Sequence, residues 1–265
     1  MQKCVNMYFT KEIDFNEKIE LFKKNNFDGV LVGFDDCVPF VEGIKLITQK
    51  GLYVEMVHCH YGEEKTLNSL WTNSKEGDEL ENKFLFQIKE CKKANIENFV
   101  IHASASKDVA LSKIGLERIK RLLYECQKNN MFLCIENTFS LNELEYIFNN
   151  IDSDNLMLCY DSGHENFLTQ GAEMLKKFAN KVKVVHLHDN WGKTDEHMIL
   201  GEGGINVENL AYDLSKCKNL EALTAEIKVF IWGEYDQSII GRIYKSLDDL
   251  DNKINKYKNK NKHST

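Results

Sequence analysis

The chain alternates between two hydrophobic rhythms. Short, nearly unbroken apolar runs rich in β-branched and aromatic residues fall at about 4–9, 28–34, 52–58, 98–102, 131–136, 156–161, 182–188 and 221–226. Between most of them lie longer stretches in which apolar residues recur every three or four positions. Continuous apolarity, as in KVVHLH or MFLCIE, suits strands buried on both faces of a parallel sheet. In 79–94, Leu80, Phe84, Leu85, Ile88 and Cys91 share one helical face. Leu116, Ile119, Leu122, Leu123 and Cys126 do the same in 112–128. Ser140 and Glu143 have capping-box spacing and predict a helix over 141–149. A last helix over 236–249 turns Ile239, Ile240, Ile243 and Leu247 inward. Eight strand units in 265 residues predict one α/β domain, a (β/α)₈ TIM barrel over 1–250.

Three stretches depart from this rhythm. Residues 59–78 and 189–206 read as long loops, each after a strand that ends in histidine, and long loops in compact domains are commonly functional. The Lys/Asn-rich end, 251–265, has little to bury and is expected to be frayed. No run reaches the roughly 18 apolar residues of a membrane span, so no membrane contact is expected. The first residues lack a basic segment followed by an apolar one, which makes the cytoplasm the expected compartment. Eight cysteines without a C-x-x-C pair read as reduced core thiols, Cys59 and Cys159 included. A net charge of −7 argues against a broad DNA-binding face.

The chemistry-bearing residues gather at the ends of the apolar runs, where a barrel of this kind builds its active site. His58 and His102 end two of them, and Glu136 ends a third in LCIENTFS. A carboxylate placed there needs a cation or hydrogen-bond partner to offset its desolvation. Asp161 and His164 stand three apart across a Gly turn in YDSGHENF. His186 and His188 alternate along one run, and Asp195 and His197 alternate in the loop that follows, so each pair faces one way. Glu226 ends the last run. Such residue types, converging at one mouth, predict a divalent-metal centre.

In this order, H-x-x-Y at 58–61, His102, E-N-T at 136–138, D-S-G-H at 161–164, H-L-H-D-N at 186–190, D-x-H at 195–197, G-E-G at 201–203 and Glu226, the chain resembles the xylose-isomerase-like barrel superfamily. That group includes sugar phosphate isomerases/epimerases and endonuclease IV. In the isomerase/epimerase branch the resemblance implies a metal held by Glu136, Asp161, His186 and Glu226, with the two glutamates also exchanging the substrate proton. The endonuclease branch implies a three-zinc cluster that adds His58, His102, His164, Asp195 and His197. Glu196 and Met198, where that branch carries basic residues, favour the first branch, as does Ala103-Ser104 after His102.

The expected activity is therefore a metal-dependent isomerase or epimerase acting on a sugar or sugar phosphate. An endonuclease IV-like zinc phosphoesterase acting on abasic DNA and a non-catalytic sugar-binding barrel are the alternatives. The cofactor is expected to be one to three ions of Mn, Co, Mg or Zn. Oxygen-rich ligation suits the first three, and added histidines shift the preference to zinc. His188, Trp71 and Trp191 are expected against the substrate, and Gly203 and Gly204 are expected to present backbone N–H groups to a phosphate.

Overall fold

The computed structural model describes residues 1–262. Its strands are β1 (Gln2–Asn6), β2 (Gly29–Gly33), β3 (Tyr53–His58), β4 (Asn98–Ile101), β5 (Phe132–Glu136), β6 (Leu156–Asp161), β7 (Val182–His186) and β8 (Ala222–Ala225). All neighbours pair in parallel, in the order β7-β6-β5-β4-β3-β2-β1-β8. The Leu187 N–H donates to the Thr224 carbonyl at 2.8 Å and the Glu226 N–H to the Leu187 carbonyl at 3.1 Å. These bonds join β7 to β8 and close the (β/α)₈ barrel, which leaves no open sheet edge.

The period of two along each strand fixes what faces inward. Leu31, Met56, Val100, Cys134, Met157, Cys159 and Val184 pack together as the barrel interior. Two residues further along, the same face presents His58, His102, Glu136, Asp161 and His186 at the rim. The opposite faces of the strands pack on the helices in a larger apolar core. All eight cysteines are free and buried, and among the described residues no helix is long and apolar enough to cross a membrane.

The helices start where local chemistry allows. The hydroxyls of Ser74 and Ser112 accept the backbone N–H of Gly77 and Gly115 at the heads of the Lys75–Lys93 and Lys113–Lys128 helices. Ser140 does precede the Leu141–Asn150 helix, but its side chain makes no cap bond. Glu143 is turned into the core instead, and burial pushes its carboxyl up to about 7. A complete capping box forms elsewhere, between Asp14 and Glu17 of the Phe15–Lys24 helix.

Two expectations about irregular segments need correction. The 59–78 stretch holds a 3₁₀ helix, Glu64–Trp71, and the start of the Lys75–Lys93 helix. Arg118, 1% exposed, ties it down by donating to the carbonyls of Ser69, Leu70 and Thr72 at 3.1, 2.9 and 2.6 Å. The chain end is helical rather than frayed as far as Lys262. Ile243, Leu247, Leu250 and Ile254 continue one buried stripe, and Asp251 receives the Met1 ammonium at 2.7 Å. Residues 263–265 of the expected frayed end lie outside the described residues.

One polar group sits deep in the barrel, below the rim. A bulge in β3, where Val30 pairs with Val54 but Leu31 with Met56, puts Glu55 out of register. Its carboxyl hydrogen-bonds the Thr224 hydroxyl, and burial, only partly offset by Thr224 and His186, raises its pKa from 4.5 to about 7. A carboxyl raised on folding contributes stability below its unfolded pKa and loses it as pH rises through the folded one. Wild type should therefore lose up to about 3 kcal/mol relative to Glu55→Gln between pH 4.5 and 7, read as the difference between their denaturant unfolding curves. Parallel pH dependences in the two proteins would show that Glu55 is ionised at neutral pH.

Candidate metal centre

Glu136 ends β5 and is 1% exposed. Its Oε2 lies 3.2 Å from His58 Nε2, 3.1 Å from His102 Nε2 and 3.3 Å from His186 Nδ1, and its Oε1 lies 3.1 Å from His164 Nδ1. Asp161 ends β6 and caps the Ser162–Phe167 helix, accepting the His164 N–H at 2.7 Å. That cap aims the His164 ring at the mouth. His186 ends β7, fully buried, with Nδ1 3.1 Å from Glu226 Oε2 and 3.8 Å from Asp161 Oδ2. Glu226 follows β8, and its Oε1 accepts the Tyr8 O–H at 2.7 Å.

The donor atoms of Glu136, Asp161, His186 and Glu226 all lie within 4.8 Å of one another. His186 Nδ1 has no hydrogen-bond partner although two carboxylate oxygens stand at 3.1 and 3.3 Å, so neither is placed to accept an N–H from it. Buried polar atoms are otherwise almost always paired. A cation between these groups satisfies all of them with small shifts, because ligand oxygens and nitrogens stand about 2.0–2.2 Å from a first-row divalent ion. The residue set fits a divalent metal.

Further donors surround this group. His58, His102 and Glu136 form one triple, Asp161, His164 and His188 a second, and His188, His197 and Glu226 a third. Asp195 joins them, 2.9 Å from His197 Nε2 and 3.6 Å from His164 Nε2. His197 adopts a left-handed backbone, φ 49°, which β-carbon sterics disfavour. Three contacts hold it there: Nδ1 is 3.0 Å from the Glu226 carbonyl, and its own carbonyl accepts from the Lys228 N–H and the Trp232 indole.

Electrostatics hold the two glutamates ionised. Burial opposes the charge on Glu136, but His186, His102 and His164 outweigh it and keep the carboxyl well below the usual range. Glu226 behaves alike: burial opposes its charge, and His186, Lys228 and His197 outweigh it. Burial disfavours the His186 imidazolium, yet Cys159, Glu136 and Glu226 raise its pKa well above normal. The charges are mutually dependent, so removal of any one exposes the rest to the full desolvation cost.

The structure brings together all nine residues expected as ligands from the chain. A family model described as xylose isomerase-like TIM barrel matches residues 19–228. The chain belongs to that family. A curated relative in Methanocaldococcus jannaschii, the uncharacterized protein MJ1614, is 33% identical over 89 residues, which cover 31% of this chain and 35% of the relative. The chain thus matches about a third of that relative's length. Among solved structures, D-psicose 3-epimerase with D-tagatose from Clostridium cellulolyticum H10 has a TM-score of 0.78 at 13% identity, covering 96% of this chain and 99% of that one. The IOLI protein with a binding zinc atom has a TM-score of 0.76 at 15% identity, covering 97% and 99%. At such identities the likeness is one of fold.

Within this xylose isomerase-like barrel, the residues expected against substrate are placed differently. The mouth is a cavity of about 560 Å³, and none of His188, Trp71, Trp191, Gly203 or Gly204 lines it. Trp71 is 2% exposed, packs under the Lys113–Lys128 helix and donates its indole N–H to the Ala103 carbonyl at 2.7 Å. It anchors its loop instead of stacking on a ligand. Trp191 is 60% exposed outside the mouth. The glycine turn is already filled by a protein carboxylate. Asp189 accepts the N–H of Gly201 and Ile205 at 2.9 and 3.0 Å, and Gly204 donates to the Asn190 carbonyl at 2.9 Å. His188 lies behind the rim, its ring stacked on His197 and its Nε2 3.0 Å from Asp161.

Other residues line the mouth without having been singled out in the sequence. Tyr8 and Lys228 are the clearest. Each stands two positions from a residue facing the same way, Asn6 and Glu226, so the period of two was their signal. Lys228 Nζ lies 2.8 Å from His197 Nε2 and 3.7 Å from Glu226 Oε1.

Gly163 tests how tightly the centre is built. A Cβ there would stand 1.9 Å from His188 Cε1. Gly163→Ala must push His188 off Asp161, and overpacking of this kind costs about 1–3 kcal/mol. A fall in Tm of roughly 2–10 °C together with reduced bound metal by elemental analysis is expected. Unchanged metal content would show that His188 does not support the ligand set.

Proposed function

We propose that this chain is a divalent-metal-dependent isomerase or epimerase that moves a proton beside the carbonyl of a sugar or sugar phosphate, through an enediolate. The observation that carries this reading is the placement of Glu136 and Glu226. They come from β5 and β8, on different sides of the barrel, reach the same His186 nitrogen at 3.3 and 3.1 Å, and both line the cavity. Two carboxylates set around one pocket can take a proton from one face of a carbon and return it to the other.

Glu136, Asp161, His186 and Glu226 would hold the ion. When bound, it supplies Lewis-acid stabilisation to the negative charge that develops on the substrate oxygens. The remaining work falls to the chain. Tyr8 fixes one oxygen of Glu226 by donating to Oε1. The histidines around Glu136 keep that carboxylate ionised in a dry setting. Phe139, Phe167, Leu168 and Tyr61 give the mouth apolar wall surface, which suits the C–H faces of a sugar and excludes water.

A second reading, a zinc phosphoesterase, draws on the extra donors. His58, His102, His164, Asp195 and His197 crowd the same space as the four central ligands, and a centre of up to three ions would activate water for phosphate ester cleavage.

Solvent exchange separates the two. The metal-loaded protein should incorporate deuterium from D₂O at carbon in a panel of ketoses, aldoses and their phosphates. Glu136→Gln and Glu226→Gln should each lower exchange by about 10²–10⁴-fold, with bound metal measured in each variant. Nicking of an abasic-site duplex without any sugar exchange would overturn the isomerase reading in favour of the phosphoesterase.

A further inference from the structure

A second cavity, of about 320 Å³, adjoins the mouth. Thr10, Lys11, Lys18 and Phe230 line it, and Tyr8 and Asp36 line both cavities, so those two side chains form the shared wall. Tyr8 is the residue that donates to Glu226. The annex therefore begins one phenol ring away from a carboxylate of the metal centre.

Two lysines line the annex against one carboxyl, Asp36, which burial raises to about 7, whereas Asp35 and Glu64 give the rim of the mouth an acidic character. Lys11 Nζ stands 4.5 Å from the centre of the Phe230 ring. Among the described residues, neither Lys11 nor Lys18 forms an ion pair within 4.0 Å. Other partly buried lysines do find partners, as Lys3 does with Asp248 and Lys183 with Glu221. Lys18 is half-buried, and that burial lowers its pKa against the pull of Asp36 and Asp14. Both carboxylates have other work. Asp14 caps its helix by accepting the Glu17 N–H at 2.8 Å, and Asp36 accepts the Gly33 N–H at 2.6 Å. An ammonium that loses hydration without a carboxylate in ion-pair contact is unfavourable, and an incoming anion relieves it. The Thr10 hydroxyl oxygen accepts the Glu12 N–H at 3.3 Å, which leaves its own proton to donate.

The mouth offers no comparable receptor. Lys228 is engaged with His197 and Glu226, and the glycine turn is closed on Asp189. We propose that the annex between Lys11, Lys18 and Thr10 receives the phosphate of a sugar phosphate, with the sugar carbons lying past Tyr8 between Glu136 and Glu226. The inference rests on the isomerase/epimerase reading and narrows its substrate class from sugars in general to phosphorylated ones.

Paired probes test it: ketoses and their terminal phosphates, assayed by deuterium exchange with the metal-loaded full chain. Wild type should show a higher kcat/KM on the phosphate of a pair. Lys18→Gln should cut that preference about tenfold or more through KM, the size of one charge-assisted contact, and Lys11→Gln should do so less because it is more exposed. Matching Tm values would show both variants folded. Equal losses on both members of a pair, or a wild-type preference for the neutral sugar, would overturn the proposal. Should no sugar exchange at all, the isomerase reading fails on its own, and calorimetry with inorganic phosphate decides the annex. Weaker phosphate binding by metal-loaded Lys18→Gln than by metal-loaded wild type upholds it, and equal binding overturns it.

Discussion

The structure turns on the mutual dependence of charges buried at the rim of the barrel. Glu136, Asp161, His186 and Glu226 are each 5% exposed or less, and each is unfavourable there alone. Burial opposes the ionisation of Glu136 and Glu226 and the protonation of His186, and only the neighbours reverse it. Such a cluster tolerates no slack. Its members must arrive close together, and their donor atoms lie within 4.8 Å of one another, near enough for Coulomb attraction in a dry site to offset desolvation.

The barrel delivers that accuracy from local rules. Each of these four residues stands at or just past a strand end, two residues beyond an interior side chain, so packing of the interior fixes its position. Cys134 lies below Glu136, Cys159 below Asp161 and Val184 below His186. Closure through Leu187, Thr224 and Glu226 places the last carboxylate against the seventh strand. The loops then add constraint of another kind. His197 is held in a left-handed backbone, and Gly163 lets His188 approach where any β-carbon would collide. Strained or crowded positions persist when their surroundings over-determine them, and here they ring the charged cluster.

This division explains what could be read from the sequence. The strands were legible because parallel strands buried on both faces are continuous apolar runs, and the ligand types stood out as polar residues at the ends of those runs. The period of two carried the rest of the rim. What stayed hidden depended on partners far along the chain. Trp71 looked like a loop aromatic until Arg118, 47 positions on, pinned its loop and the Lys113–Lys128 helix covered it. The glycine turn looked like an anion receptor until Asp189 filled it. The Lys/Asn composition of the chain end masked a stripe, Leu250 and Ile254, that keeps helical spacing with Ile243 and Leu247. His188 was visible as a site residue, but its place behind the rim follows from its stacking on His197.

The same ligand set can serve carbon–hydrogen chemistry or phosphate ester cleavage, so the fold does not choose between them. The loops do. A nucleic-acid surface needs cations spread along the path of a backbone, because phosphate neutralisation supplies most of the affinity. Around this mouth the exposed groups include Asp35 and Glu64, Glu196 stands between Asp195 and His197 in the chain, and Lys228 lies against His197. Lys11 and Lys18, neither in an ion pair among the described residues, instead line one recess of about 320 Å³ beyond Tyr8. A polymer would meet the acidic rim before it reached that recess. A small molecule with a single anionic end meets the recess alone, with the rest of its length free to lie over the metal centre. The charge distribution therefore favours a compact substrate over a duplex, on grounds independent of the ligands themselves.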